Sequence, residues 1–447
     1  MRPYIALCAA GLLAALLTGC SGLPASTEEL LEAPQLSPDQ AALADALARG
    51  LGTEDFTLKY PVSGENRTAY ILCNLDDEEG NEAVAFYSLG EEETIRMNIL
   101  DQTADGQWES VYDMAGAGDD VNTVDFAPIS RQDRNDLIIS WRDRGSTELD
   151  VEIYSYEGGL LSNLFSGTGD RIYFMDINSD GYSEMVLLGW ASSRDPSIQI
   201  VRRAGSRVIA RDETILNSRA IDFTGLTLGR TLDGDTALYV DELISSSSAA
   251  TDVVVLNGFQ MDVVTAEDPA AEDGELSDEE SESLYDQTIR PADLICRDLD
   301  GDGIVEIPSS QLLPGYSSSG EDETIYRVDY RALSDGELVD SYSTVSNEEM
   351  GYTFLLPDSW VDTVTIRRVT ETNEWQFYPY TEDETVTGPV LLSIKVSSHQ
   401  DYEDKFSTAV YFPLATRGIF EYTASIPTAD HPLSITEEEV RSRFLLN

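Results

Sequence analysis

Lysine, histidine and cysteine are scarce in this chain. Only Lys59, Lys395 and Lys405 carry an ammonium group, so arginine supplies the other 25 (28 − 3) basic residues. Against those 28 stand 83 aspartates and glutamates, giving a formal net charge of -55. A surface this negative repels phosphate backbones, and no basic patch interrupts it, so nucleic acid is excluded as a partner. His399 and His431 are the whole histidine complement, which excludes a histidine-rich metal centre and an HExxH zinc helix. There is no CxxC pair, no GxSxG elbow, no Walker loop and no GxGxxG after a strand. A glycosidase carboxylate pair is defined by separation in space, so 83 acids leave that chemistry open. With 41% hydrophobic and 9% aromatic residues the chain is too apolar for a disordered acidic protein. At about 150 residues per domain its length predicts two or three folded units.

What is present begins with an apolar stretch, Tyr4 to Leu17, behind a single positive residue, Arg2. It is shorter than the about 20 residues a spanning helix needs and suits a signal-peptide core. It ends in Leu17-Thr18-Gly19-Cys20, which resembles the lipobox of bacterial lipoproteins, in which the cysteine is lipidated and becomes the first mature residue. The expectation is a signal peptide over 1–19, lipidation at Cys20, and a tether with a short helix over 20–50. That address is the extracellular face of the cytoplasmic membrane, reached through the lipid anchor. Cys73 and Cys296 then remain for the folded part, and both read as buried thiols, with one disulfide as the alternative. Ser37-Pro38-Asp39-Gln40 predicts a helix start, with Ser37 as N-cap, and Gly50 is expected to stop the helix.

From 51 to 345 short apolar runs alternate with Gly, Asp, Asn and Ser clusters, which is β patterning. A nine-residue frame recurs before the strands. Its clearest copies are Asp176 to Glu184 and Asp298 to Glu306; Asn74 to Glu82 and Pro128 to Asp136 keep the frame, and Thr227 to Asp235 is the weakest. The starts are 54, 48, 51 and 71 residues apart, and the long last interval holds an insertion, 266–286, with ten acids and no base. Self-repulsion makes that insertion a solvated loop. A period near fifty with a few strands per unit predicts a β-propeller of about six blades.

In the two best loops, positions 1, 3, 5 and 9 offer side-chain oxygens, position 6 is glycine at the turn, and position 7 offers its carbonyl. A hard cation such as Ca²⁺ takes six to eight oxygens at about 2.3–2.6 Å, and alternate side chains of a tight loop converge on one point. The candidate ligands are Asp176, Asn178, Asp180, Tyr182 and Glu184 in one loop, and Asp298, Asp300, Asp302, Ile304 and Glu306 in the other. Asn74, Asp76, Glu78 and Glu82 form a weaker set. Neither strong loop is an EF-hand, because the twelfth position is Leu187 or Ser309. These loops resemble the FG-GAP and VCBS-type calcium loops of integrin-like β-propellers, and the stretch from Phe56 to Tyr87 is similar to the first repeat of Gram-positive, clostridial-type surface lipoproteins. The resemblance covers roughly 55–310. It implies structural Ca²⁺ at the two strong loops, and the departures at Pro128 and Thr227 leave a full ring of ions open.

Residues 346–447 read as a small α+β C-terminal domain, which resembles one found at the ends of Gram-positive lipoproteins. Strands are expected around Tyr352, over Val361 to Val369, Trp375 to Tyr380 and Val390 to Val396, and a helix capped at Thr436 runs to Leu446. Trp360, Trp375, Tyr378 and Tyr380 read as core rather than as a ligand groove. The functional expectation is a monomeric, non-catalytic, calcium-stabilised lipoprotein that binds an envelope component, protein or glycan. The alternative is a cell-surface glycan-active hydrolase.

Overall fold

The computed structural model describes residues 37–76, 78–90, 94–210, 213–266, 283–317, 324–381, 388–398 and 410–447. Cys20 and the leader, His399 and most of the acidic insertion lie outside the described residues. Among those described, no helix is long and apolar enough to cross a membrane, which says nothing of a β-barrel.

The described residues are mainly β and form six antiparallel sheets, taken in chain order. Sheet I orders strands Phe56–Lys59, Glu82–Leu89, Arg96–Gln102 and Trp108–Ala115. Tyr70–Cys73 shares with Phe56–Lys59 one edge of Glu82–Leu89, so two short strands do the work of one. Sheet II runs Asp120–Ala127, Asp136–Arg142, Leu149–Glu157, Leu160–Gly169. Sheet III runs Arg171–Met175, Glu184–Trp190, Pro196–Ala204, Arg207–Ala210. Sheet IV runs Asp222–Arg230, Thr236–Leu243, Ser248–Asn257, Gln260–Val263, with Arg290–Pro291 pairing beside it. Sheet V runs Glu306–Leu312, Tyr326–Ser334, Glu337–Asn347, Tyr352–Leu355, Phe444–Leu446. Sheet VI orders Val364–Val369, Glu374–Pro379, Leu392–Ser398, Phe420–Ser425 and Phe412–Arg417.

The second strands of sheets I to IV are apolar almost throughout, and Ala83 to Tyr87, Leu137 to Ile139, Met185 to Leu188 and Ala237 to Val240 are all buried. A strand covered on both faces has no solvent side to make polar, so it loses the two-residue alternation. The outermost strand of sheet I, Trp108–Ala115, keeps it.

The chain divides into two compact units, one ending at Phe126 and including Ile139–Arg144 and Tyr156–Ser162, the other holding the rest. In the first, helix α1 (Pro38–Leu51) lays Leu43, Ala46 and Leu47 on Tyr70, Ala83, Ala85, Tyr87 and Leu100. Ser37 and Gln40 close a capping box, a device that stabilises a helix by about 1 kcal/mol. Gly50 does not stop this helix; Gly52 does, at φ 69°. Gly50 serves close packing instead, since a Cβ there would lie 2.4 Å from that of Ser110.

In the second unit, Trp360, Phe377, Tyr352 and Phe354 centre an aromatic core with Trp375, Tyr422 and Phe444. Trp360 and Trp375 are buried core residues, and the Trp360 Nε1 hydrogen donates to the Leu433 carbonyl at 2.7 Å. Helix α2 (Glu437–Arg443) carries the expected capping box at Thr436 with Glu439. It ends three residues before the expected Leu446, because Phe444–Leu446 pairs with Tyr352, Thr353 and Phe354 as an edge strand. Burying Phe444 against Tyr352 and Tyr422 outweighs continuing the helix.

Candidate functional site

Four of the recurrent frames end at the same structural point, the first residue of the following long strand. Glu82, Asp136, Glu184 and Glu306 hold position 9, and all four are buried. In the Asp176 loop the Glu184 carboxylate accepts the position 2 amide of Ile177 at 2.9 Å, and in the Asn74 loop Glu82 accepts that of Leu75 at 2.5 Å. Asp136 accepts the Ser130 amide at 2.6 Å and its hydroxyl at 2.8 Å. In the Asp298 loop a side chain is interposed. The Tyr342 hydroxyl donates to Glu306 at 3.0 Å and accepts the Leu299 amide at 3.3 Å. Burial, foremost, pushes the carboxyls of Glu82, Glu184 and Glu306 each up to about 7. Neighbouring loop aspartates raise all three further.

The two strong loops share one hydrogen-bond pattern. Position 1 accepts the position 5 and 6 amides: Asp176 takes Asp180 at 3.0 Å and Gly181 at 2.9 Å, and Asp298 takes Asp302 at 3.2 Å and Gly303 at 2.8 Å. Position 3 accepts the position 5 amide, through Asn178 at 2.9 Å and Asp300 at 3.3 Å. Position 5 accepts the position 7 amide, from Tyr182 at 2.9 Å and Ile304 at 2.7 Å. Gly181 and Gly303 stand at φ 84° and 88°, the left-handed turn that a Cβ resists. Asp298, Asp300 and Asp302 bring carboxylate oxygens within 4.8 Å of one another.

The weaker copies depart for visible reasons. Asn74 turns its amide group inward as a donor, to the carbonyls of Glu78 at 2.8 Å and Gly80 at 2.9 Å, and the Glu78 side chain is exposed. Asp76 keeps the position 3 role, accepting the Glu78 amide at 2.8 Å. Asp76 and Glu82 instead meet Asp101, from the strand Arg96–Gln102, with oxygens of all three within 4.8 Å. Sequence reasoning missed Asp101, whose only sign was an acid following the apolar pair Ile99-Leu100. The Pro128 loop leans on its stronger neighbour: Gln132 Nε2 donates to the Asp180 carbonyl at 2.5 Å, and the Pro128 carbonyl accepts the Ser183 amide at 2.9 Å. At the fifth frame, Thr227 to Arg230 lie within a strand, and only Thr231 to Asp235 turn. No room is left there for a nine-residue loop.

No family model matches this chain, and no curated protein matches it. A polar cavity of about 610 Å³ is lined by Ser309, Arg327, Asp329, Asp340, Asp358 and Asp362, among others. Arg327 holds Asp329 with Nε and Nη2 at 2.7 and 2.9 Å, and Asp362 with Nη1 at 2.5 Å. Two of its four aspartates thus face a guanidinium rather than each other.

Cys73 and Cys296 form no disulfide. Cys296 is buried beside an ion pair whose side chains are 0% and 1% exposed, Arg290 with Asp241. Burial, with the Asp241 charge behind it, pushes the Cys296 thiol well up, which keeps it protonated.

Proposed function

We propose that this chain is a lipid-anchored protein of the extracellular membrane face, built on an FG-GAP/VCBS-type propeller whose blades are the successive meander sheets. In this reading Ca²⁺ is structural and occupies the Asp176 and Asp298 loops. The rigid frame then presents its loops to an envelope component, protein or glycan, without catalysis. One observation supports the reading above the others: the two strong loops repeat the same amide-to-carboxylate pattern position by position, each leading into a strand that opens on a buried glutamate. Both Asp176 oxygens and Asp298 Oδ2 accept one amide each and retain a second lone pair, so a hard cation can add them as ligands without dismantling the loop, whereas Asp298 Oδ1 already takes two amides, from Gly301 and Asp302.

With an affinity near 0.1 mM and about ten times as much free Ca²⁺, each ion adds about 1.4 kcal/mol to stability. EDTA is expected to lower the melting temperature and Ca²⁺ to restore it. Asp300→Ala with Asp302→Ala is expected to remove part of that response, and Cys20→Ala to release the chain from the membrane fraction. A melting curve indifferent to EDTA and Ca²⁺ sinks the calcium reading.

A further inference from the structure

The first unit holds a group of carboxylates in which the Asn74 loop supplies two, Asp76 and Glu82, and a residue outside the loop motif, Asp101, supplies the third. Asp76 lies in the loop between the strands Tyr70–Cys73 and Glu82–Leu89, Glu82 starts the second of these, and Asp101 stands next to the end of the adjacent strand Arg96–Gln102. Oxygens from the three lie within 4.8 Å of one another, with Asp76 and Glu82 buried and Asp101 half-buried. We propose that Asp76, Glu82 and Asp101 form a calcium site of composite origin, in which the neighbouring strand supplies the carboxylate that Asn74 cannot.

An independent observation points to a ligand. Glu82 is 0% exposed; its Oε2 accepts the Leu75 amide, while its Oε1 has no hydrogen-bond partner among the described residues. A buried carboxylate oxygen left bare is costly, and a bound cation satisfies it. The charges that act on Glu82 are those of Asp76 and Asp101, both of its own sign. Asp101 is oriented by its neighbours, with Oδ1 accepting the Gln102 amide at 2.6 Å and Oδ2 lying 3.4 Å from the Tyr156 hydroxyl. Asn74 spends both amide hydrogens on loop carbonyls, which tightens the loop, and brings no carboxylate to position 1. Three carboxylate oxygens within 4.8 Å of one another can share one hard divalent cation, and a set of protein carboxylates suits Ca²⁺, since Mg²⁺ dehydrates reluctantly and usually keeps several waters. This site rests on the loop chemistry proposed above but shares no residue with the Asp176 and Asp298 loops, so the two stand or fall separately.

The test counts Ca²⁺ bound per full-length chain by equilibrium dialysis against Ca²⁺ alone, with Mg²⁺ in a parallel arm. Asp101→Asn is expected to bind one ion fewer than the parent, and a chain carrying Asp176→Asn and Asp298→Asn to retain that ion. An unchanged count in Asp101→Asn overturns this site and leaves the loop reading intact, whereas no bound Ca²⁺ in the parent overturns both. A count that falls equally for Mg²⁺ at equal affinity overturns the calcium assignment. If circular dichroism shows Asp101→Asn unfolded, Asp101→Glu must keep the ion; failure of that folded variant to bind it overturns the proposal.

Discussion

Arg290→Met should be among the most damaging single changes in the second unit. Arg290 and Asp241 are fully buried, and every arm of the guanidinium is used. Nε donates to the Leu294 carbonyl and Nη1 to that of Thr288, both at 2.9 Å, while Nη2 meets Asp241. Asp241 also accepts the Thr251 hydroxyl at 2.8 Å and the Cys296 amide at 2.9 Å. Removing the cation leaves a buried carboxylate without its counter-charge, which costs about 3–5 kcal/mol. The two abandoned carbonyls add about 1 kcal/mol each at most when water reaches them. A loss of that size consumes a large share of ordinary domain stability, about 5–15 kcal/mol. The segment it pins, Arg290 to Cys296, leads directly into the Asp298 loop, so the loop should loosen with it. The Cys296 thiol reports the opening, because it is buried and should react with a thiol reagent only when sheet IV opens. The expected result is labelling at markedly lower urea than in the parent, with Asp241→Leu added to Arg290→Met recovering part of the loss. A labelling midpoint shifted by the equivalent of less than about 1 kcal/mol would refute the reasoning, as would a double variant no better than the single.

Two further outcomes test the buried acids. Burial first, and then the Asp252 charge, raises the Glu242 carboxyl well above its ordinary value. A raised folded pKa means the proton binds more tightly in the folded state, so the stability it contributes is complete below the ordinary glutamate range and lost as pH rises through the folded value. Glu242→Gln should therefore gain on the parent in melting temperature from pH 5 to pH 9, and a constant difference across that range counts against the idea. Tyr342→Phe removes the hydroxyl that links Leu299 to Glu306. It should cost about 1–3 kcal/mol and weaken the Ca²⁺ response of the Asp298 loop but not of the Asp176 loop, read by melting with each loop disabled in turn; equal effects on both loops would contradict it.

The long central strands were legible because burial on both faces writes itself into consecutive residues. Glu82 to Leu89 and Met185 to Trp190 fall within observed strands for that reason. The Ser37 and Thr436 caps were legible because a capping box is a contact between residues three apart. What stayed hidden depends on partners far along the chain. Asp101 meets Asp76 and Glu82 only once two strands pair in register, Ala83 opposite Leu100. Tyr342 reaches Glu306 across sheet V, 36 residues away. Phe444 to Leu446 leave the helix for a strand edge that begins at Tyr352. None of these carries a local signal, since each outcome is decided by which surfaces become available after the sheets form.

Position 9 shows why the negative charge of this chain is not one property. An acid on the surface serves solubility and needs nothing from the fold. Glu82, Glu184 and Glu306 have left water at the head of a strand, where burial raises each carboxyl to about 7, so near neutrality each sits close to losing its proton. Two of them are tied directly to the second amide of their own loop, and the third through Tyr342. The same carboxylate thereby closes the loop, and Glu82 also lies close to the position 3 carboxylate, Asp76. A divalent cation at such a loop would compete with the proton for it and would favour the ionised, closed form. On the proposed calcium reading, ion binding and the start of the strand would be coupled through that carboxylate, and an acidic turn would help decide whether a sheet forms.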